Sequence, residues 1–159
     1  MAEVTPTQHK QAGEAMAVQS CDTVSSRCEH YRNALRLPAT LSPCGSRIVL
    51  RSDLVSGLVL PLRLAERACE RLADRGALGP VVGHMRMGRA TILTCGHKGS
   101  EFVEAPELAS LTVSVGVNCI VLPSPTDERS GYRRWIRQPD STFLPSMQTA
   151  VAAVLEVAT

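Results

Sequence analysis

Arginine and aromatic side chains are interleaved in the second half of this 159-residue chain, and together they could contact nucleic acid. Guanidinium groups donate hydrogen bonds to phosphates, and exposed aromatic rings stack on bases. The predicted nucleic-acid-binding residues are Arg86, Arg89, Tyr132, Arg133, Arg134 and Arg137. A structural interpretation stays open, because strand alternation would turn the arginines toward solvent and leave Trp135, the only tryptophan, in the core.

Acidic residues are scarce in the same region. No Asp or Glu lies between Asp74 and Glu101, or between Glu107 and Asp127. The hard cations that drive phosphoryl transfer are held by carboxylates. The region from 85 to 137 therefore predicts binding rather than metal-dependent catalysis, and neither a cofactor nor a metal is predicted.

The composition is that of a globular protein, with 44% hydrophobic and 20% charged residues. A net charge of +2 is too small to indicate nucleic-acid binding by itself. The polar N-terminus has no apolar signal-peptide core, and no apolar run is long enough for a membrane span, so a cytoplasmic location is expected. We predict a flexible tail over 1–26 and a single α+β domain over 27–159.

The hydrophobic patterns predict helices over 27–37, 62–75 and 146–157, and a polar loop over 123–130. They predict strands over 47–50, 58–60, 81–85, 89–95, 111–117, 119–122 and 132–136. On the helix over 62–75, arginines and acids at i,i+3 spacing, such as Arg71 with Asp74, predict solvated ion pairs. The order of elements predicts an α+β fold with one mixed, mainly antiparallel sheet packed by two main helices.

Several short landmarks occur in a meaningful order. Ile48-Val49-Leu50 precedes Arg51-Ser52-Asp53, and a helix then ends in Gly-Ala-Leu-Gly-Pro over 76–80. Gly-Arg-Ala over 88–90, Val-Leu-Pro-Ser-Pro over 121–125 and Gly-Tyr-Arg-Arg-Trp over 131–135 follow. With these landmarks, residues 47–155 resemble the N-terminal domain of bifunctional DNA primase–polymerases (prim-pol), especially its short, diverged actinobacterial relatives. The resemblance implies an RRM-like core.

The resemblance also implies a degenerate active site. Active members carry an Asp-x-Asp pair, a His and a third acid, and the corresponding positions here are Arg51, Asp53, Ala90 and Thr112. One carboxylate beside an arginine would hold a divalent cation poorly, because Arg51 repels the metal. The resemblance thus implies a non-catalytic regulatory or accessory protein that binds DNA, RNA or a nucleic-acid-associated protein.

Three alternatives stay open. The chain could be a protein-interaction module or a homodimer through a sheet edge, with no nucleic-acid binding. It could be a residual nucleotidyltransferase that uses Asp53 with Glu101 or Asp127. Cysteine and histidine are zinc-ligand types, so a zinc site is a further alternative, at Cys21, Cys28, His30 and Cys44. The spacing of these residues lacks the usual close cysteine pair. His84 and His97 have no partners typical of a catalytic set and are expected at exposed loop or strand ends.

Overall fold

The computed structural model describes residues 23–51, 53–96, 105–116 and 119–159. Five helices lie in these ranges: α1 (Val24–Asn33), α2 (Leu62–Asp74), α3 (Pro106–Ser110), α4 (Pro125–Ser130) and α5 (Met147–Ala158). The described strands are β1 (Ala39–Leu41), β2 (Ile48–Leu50), β3 (Val55–Pro61), β4 (Val81–His84), β5 (Arg89–Cys95), β6 (Ser114–Gly116), β7 (Ile120–Leu122) and β8 (Arg134–Arg137). A single 3-10 turn, Met85–Met87, joins β4 to β5.

The strands form two sheets, one of three strands in the order β1-β2-β7 and one of five in the order β6-β3-β5-β4-β8. Every pairing between described strands is antiparallel. The α+β class and its mainly antiparallel character are therefore confirmed. The prediction of one sheet is too simple, because β2 and β7 pair with each other and not with the central strands.

Helices α2 and α5 cover one face of the five-stranded sheet. The stripe that α2 buries is Ala65, Ala68 and Leu72, at the helical spacing predicted from the sequence. These side chains pack with Leu58 and Leu60 of β3 and with the buried face of α5. At the helix end, Gly76 has φ of 64°, the left-handed conformation that glycine adopts at low cost.

The exposed side of α2 pairs with α5. Arg71 Nε lies 2.8 Å and Arg75 Nη2 lies 2.6 Å from the carboxylate of Glu156. The predicted Arg71 salt bridge with Asp74 is thus wrong, since the described partner of Arg71 is Glu156. Arg71 and Arg75 therefore join α2 to α5.

A second core fills the space between the two sheets. Ile48, Leu50, Ile120 and Leu122 from the smaller sheet meet side chains of the larger sheet there, and α1 closes one end of this core. The larger sheet and α1 contribute Val82, Leu93, Cys28 and Tyr31. The molecule is therefore layered as helices, five-stranded sheet, three-stranded sheet, and the two faces of the larger sheet are both covered.

Three predicted segments differ from the structure. The polar loop predicted over 123–130 contains α4, which starts with a capping box between Ser124 and Asp127 and ends at Gly131 with φ of 65°. The predicted strand over 111–117 is reduced to β6, because Thr112 occupies a turn with φ of 55°. Helix α1 begins at Val24, so the predicted tail boundary at 26 falls inside it.

None of the helices in the described ranges has both the length and the hydropathy that a bilayer crossing requires.

Candidate functional site

The four positions that the resemblance assigns to a degenerate active site do not lie in one cleft. Arg51 and Asp53 are exposed in the connection between β2 and β3, next to Val55. Ala90 pairs with Leu60 at the other end of β3. Five residues of a strand separate these ends, a distance of about 17 Å.

Ala90 is also closed off from any cleft. It is fully buried in the core beneath α2 and α5. Thr112 lies near Ala90 in the fold, because the Thr112 carbonyl accepts a 2.7 Å hydrogen bond from Arg89. The structure thus brings two of the four positions to one end of the sheet and leaves Arg51 and Asp53 at the other. The four positions therefore do not form a common site, and the prim-pol relationship stays a prediction.

Some of the predicted nucleic-acid-binding arginines are already engaged in bonds within the protein. Arg137 pairs with Asp140 at 2.8 Å, and Arg89 donates to the carbonyls of Val59 and Thr112. Arg133 is only 8% exposed and pairs with Asp127 at 2.9 Å. These three guanidinium groups therefore take part in the fold, and only the N–H groups that these bonds leave over can contact another acceptor.

The Tyr132 ring lies beside two arginines of the set, the exposed Arg86 and the buried Arg133. The Arg86 guanidinium is 5.7 Å from the centre of the Tyr132 ring, and the Arg133 guanidinium is 5.2 Å from it. Arg86 also donates to the Ser130 carbonyl at 3.3 Å. Arg134 is exposed one residue beyond Arg133, at the start of β8.

Sequence reasoning missed Arg129, an exposed residue in the last turn of α4 directly before Ser130. We call the group Arg86, Arg129, Tyr132 and Arg134 the arginine–tyrosine edge. Among the described residues, its three arginines have no salt bridge. The acids of α4 are engaged elsewhere, Asp127 with Arg133 and Glu128 with Arg27, whereas Glu66 of α2 lines a surface pocket together with Arg134. The edge is therefore a small, positively charged surface beside a partly exposed aromatic ring.

His84 is hydrogen-bonded to both Arg133 and Thr91. Its Nδ1 accepts a 3.2 Å hydrogen bond from Arg133 Nε, and its Nε2 lies 2.8 Å from Thr91 Oγ1. Because arginine can only donate, Nδ1 must be unprotonated, and the neutral ring carries its hydrogen on Nε2. The described hydrogen bonds thus run from Arg133 through His84 to Thr91.

Burial and positive charge keep His84 neutral. Burial, followed by repulsion from Arg133 and Arg89, lowers the pKa of His84 to about 4. Asp127 acts in the opposite direction but is the smallest contribution. The sequence predicts an exposed His84 at a loop or strand end. The predicted exposure is wrong, since the side chain is half-buried and hydrogen-bonded. His97, which is also predicted to be exposed, lies outside the described residues.

A pocket of about 250 Å³ opens on the Thr91 side of His84, between the two sheets. Its described lining includes Val59, Arg89 and Thr91 from the larger sheet and Ile120 and Val121 from the smaller one. No sequence pattern indicated this pocket, because its walls come from strands far apart in the chain.

Trp135 has a structural role in this arrangement. Its Nε1 donates a 2.9 Å hydrogen bond to Tyr31 Oη, and the two rings meet edge to face with centres 5.8 Å apart. Tyr31 Oη in turn donates to the Pro123 carbonyl at 2.7 Å. The core interpretation of Trp135 is therefore confirmed, since its ring packs against the inter-sheet core, whereas Tyr132 lies at the surface.

The zinc hypothesis gains no cluster in the structure. Cys21 lies outside the described residues, Cys28 is buried in the inter-sheet core, and Cys44 lies in the exposed β1–β2 turn. Within the part of the chain that the structure describes, no three His, Cys, Asp or Glu side chains converge to hold a metal ion.

Comparison of the chain with family models, with curated proteins and with solved structures finds no match.

Proposed function

We propose that this protein is a non-catalytic accessory or regulatory domain that binds single-stranded DNA or RNA through the arginine–tyrosine edge. The observation that carries the proposal is the exposed Arg86, whose guanidinium lies 5.7 Å from the centre of the partly exposed Tyr132 ring and has no ion pair among the described residues. Arg129 and Arg134 are exposed within three residues of Tyr132 in the chain and likewise have no described ion pair. Arginines contact phosphates, while an aromatic ring accepts an unstacked base, so this combination favours single strands. The carboxylate-poor sequence over 85–126, which supplies acids only at Glu101, Glu104 and Glu107, favours binding over metal-dependent chemistry.

The size of the edge predicts a modest affinity and a defined salt dependence. Three arginines can neutralise about three phosphates, which gives log Kobs against log salt a slope of about −2 on a single strand. Fluorescence anisotropy with a labelled oligonucleotide, from 25 mM to 300 mM salt, measures this slope. Arg86→Gln and Arg134→Gln should each weaken binding and make the slope shallower by about 0.7.

A matched control is available outside the arginine–tyrosine edge. Arg71→Gln removes the same charge from α2, where Arg71 pairs with Glu156, and Arg75 still holds Glu156 there. This variant should bind like wild type. No binding to any single strand at 25 mM salt, or equal loss in all three variants, would contradict the proposal.

A protein-interaction module is the second candidate, and the position of β8 favours it. This strand ends the five-stranded sheet, so one row of its backbone groups faces away from β4. Ile136 of β8 is 40% exposed and Phe143, shortly after it, is 47% exposed. A homodimer through this edge would cover both. Light scattering coupled to size exclusion should then show a dimer that Ile136→Lys dissociates and that nucleic acid does not affect.

A further inference from the structure

The pocket between the two sheets is lined by both polar and apolar side chains. Arg89, Thr91, His84 and Arg133 contribute to the polar side, and Val59 and Ile120 are among the apolar residues. Its volume of about 250 Å³ corresponds to about eight water molecules at liquid density. The space is therefore large enough for a small organic molecule and too small for a nucleotide chain.

The polar groups that face this pocket are hydrogen-bond donors. His84 gives its Nε2 hydrogen to Thr91 Oγ1, so the Thr91 hydroxyl keeps its own hydrogen to donate. Arg133 has more N–H groups than its bonds to His84 and Asp127 use, and Arg89 has more than its two carbonyl bonds use. Among the described lining residues there is no Asp or Glu.

The pocket is also lined by positive charge. Arg89 and Arg133 both line it, and Arg133 is held there with its side chain only 10% exposed. Asp127 pairs with Arg133 but is not among the lining residues, so the described lining presents cations and no carboxylate to the pocket. Burial and then repulsion from Arg133 and Arg89 lower the pKa of His84, so the same two arginines act on its ring. A negative group in the pocket would be stabilised by both arginines.

We propose that this pocket binds a small organic anion, with its carboxylate or phosphate group held by Arg89, Arg133 and the Thr91 hydroxyl. The apolar or aromatic body of the ligand lies against Val59 and Ile120. This proposal concerns a different surface from the arginine–tyrosine edge and does not rest on nucleic-acid binding.

Benzoate and phenyl phosphate are suitable probes, with benzamide as the uncharged match and inorganic phosphate as the anion without a body. Amide chemical shifts of isotope-labelled protein are followed by NMR during each titration. We expect saturable shifts for at least one of the two organic anions, centred on Val59, Thr91 and Ile120. The neutral benzamide should bind at least about tenfold more weakly than benzoate, as expected for loss of hydrogen bonds to a charged group.

Two variants test the contacts. Thr91→Val keeps the shape of the side chain and removes the hydroxyl, and Arg89→Gln removes one charge. Each substitution should weaken binding of the organic anion by about tenfold or more. Arg71→Gln, Arg86→Gln and Arg134→Gln should not change it, and this separates pocket binding from the proposed function.

The titrations also distinguish the ligand classes. Saturation by benzoate alone identifies a carboxylate site, and saturation by phenyl phosphate alone identifies a phosphate-ester site. The proposal is overturned if neither anion saturates, or if benzamide binds as tightly as benzoate. It is also overturned if inorganic phosphate matches phenyl phosphate, or if the shifts lie away from the pocket.

Discussion

Lowering the pH should destabilise this protein through His84, and the hydrogen bonds of that side chain define the effect. The folded state holds the ring neutral, with Nδ1 accepting from Arg133, so protonation would place an N–H against an N–H donor. The unfolded chain has no such constraint. Between the ordinary pKa of 6.5 and the folded pKa of about 4, the unfolded state therefore binds a proton that the folded state excludes.

The sign and size follow from this difference. Stability is unaffected above about pH 7, falls as the pH drops from 6.5 to about 4, and levels off below that. The full pKa difference of about 2.5 corresponds to about 3.4 kcal/mol, at 1.36 kcal/mol per pH unit. Because the ring is only half-buried, solvent screening reduces the loss, and we expect about 1.5 kcal/mol.

Urea denaturation of wild type and His84→Gln at pH 7.0, 5.5 and 4.5 measures the effect. Other groups titrate in both proteins, so the difference between their unfolding free energies isolates His84. The advantage of wild type should shrink by about 1.5 kcal/mol from pH 7.0 to 4.5. The nitrogen-15 shifts of His84 should also show the Nε2–H tautomer at neutral pH. A constant difference across this range, or an NMR pKa of 6 or above, would refute the reasoning.

Two further predictions concern packing. Gly57→Ala should cost about 1–3 kcal/mol of stability in urea denaturation, because the added Cβ would lie 2.7 Å from Thr91 Cγ2. In Gly116→Ala the Cβ meets nothing closer than 3.6 Å, so equal losses in both variants would argue against the steric cause. Trp135→Phe should lose about 1 kcal/mol with the hydrogen bond to Tyr31 Oη, measured by circular dichroism melts. An unchanged melting temperature would show that this bond contributes nothing.

Some local features missed by the sequence interpretation were nevertheless readable in the sequence. Ser124 and Asp127 have the spacing of a capping box, Pro125 suits the first helical position, and Gly131 suits the end. The intervening residues are polar, and a short polar helix has little periodicity to reveal it. Strand β1 was missed for a similar reason, since only Ala39 of its three residues is buried.

By itself, the sequence determined the elements whose burial repeats along the chain. The spacing of Ala65, Ala68 and Leu72 predicts α2, and the apolar residues over 89–95 predict β5, because periodicity is a local property. The α+β class and the two main helices on the sheet followed from these elements. The positively charged character of the region around Tyr132 was also visible in the sequence, although three of its five predicted arginines, Arg89, Arg133 and Arg137, are engaged within the fold.

Only the tertiary structure decided which residues meet. The division into two sheets depends on β2 pairing with β7, strands about 70 residues apart in the chain. The hydrogen bond from Arg133 to His84 spans 49 residues, and the pocket beside it exists only because two sheets enclose it. Side-chain pairing across such separations depends on strand order and register, and hydrophobic patterning determines neither of these.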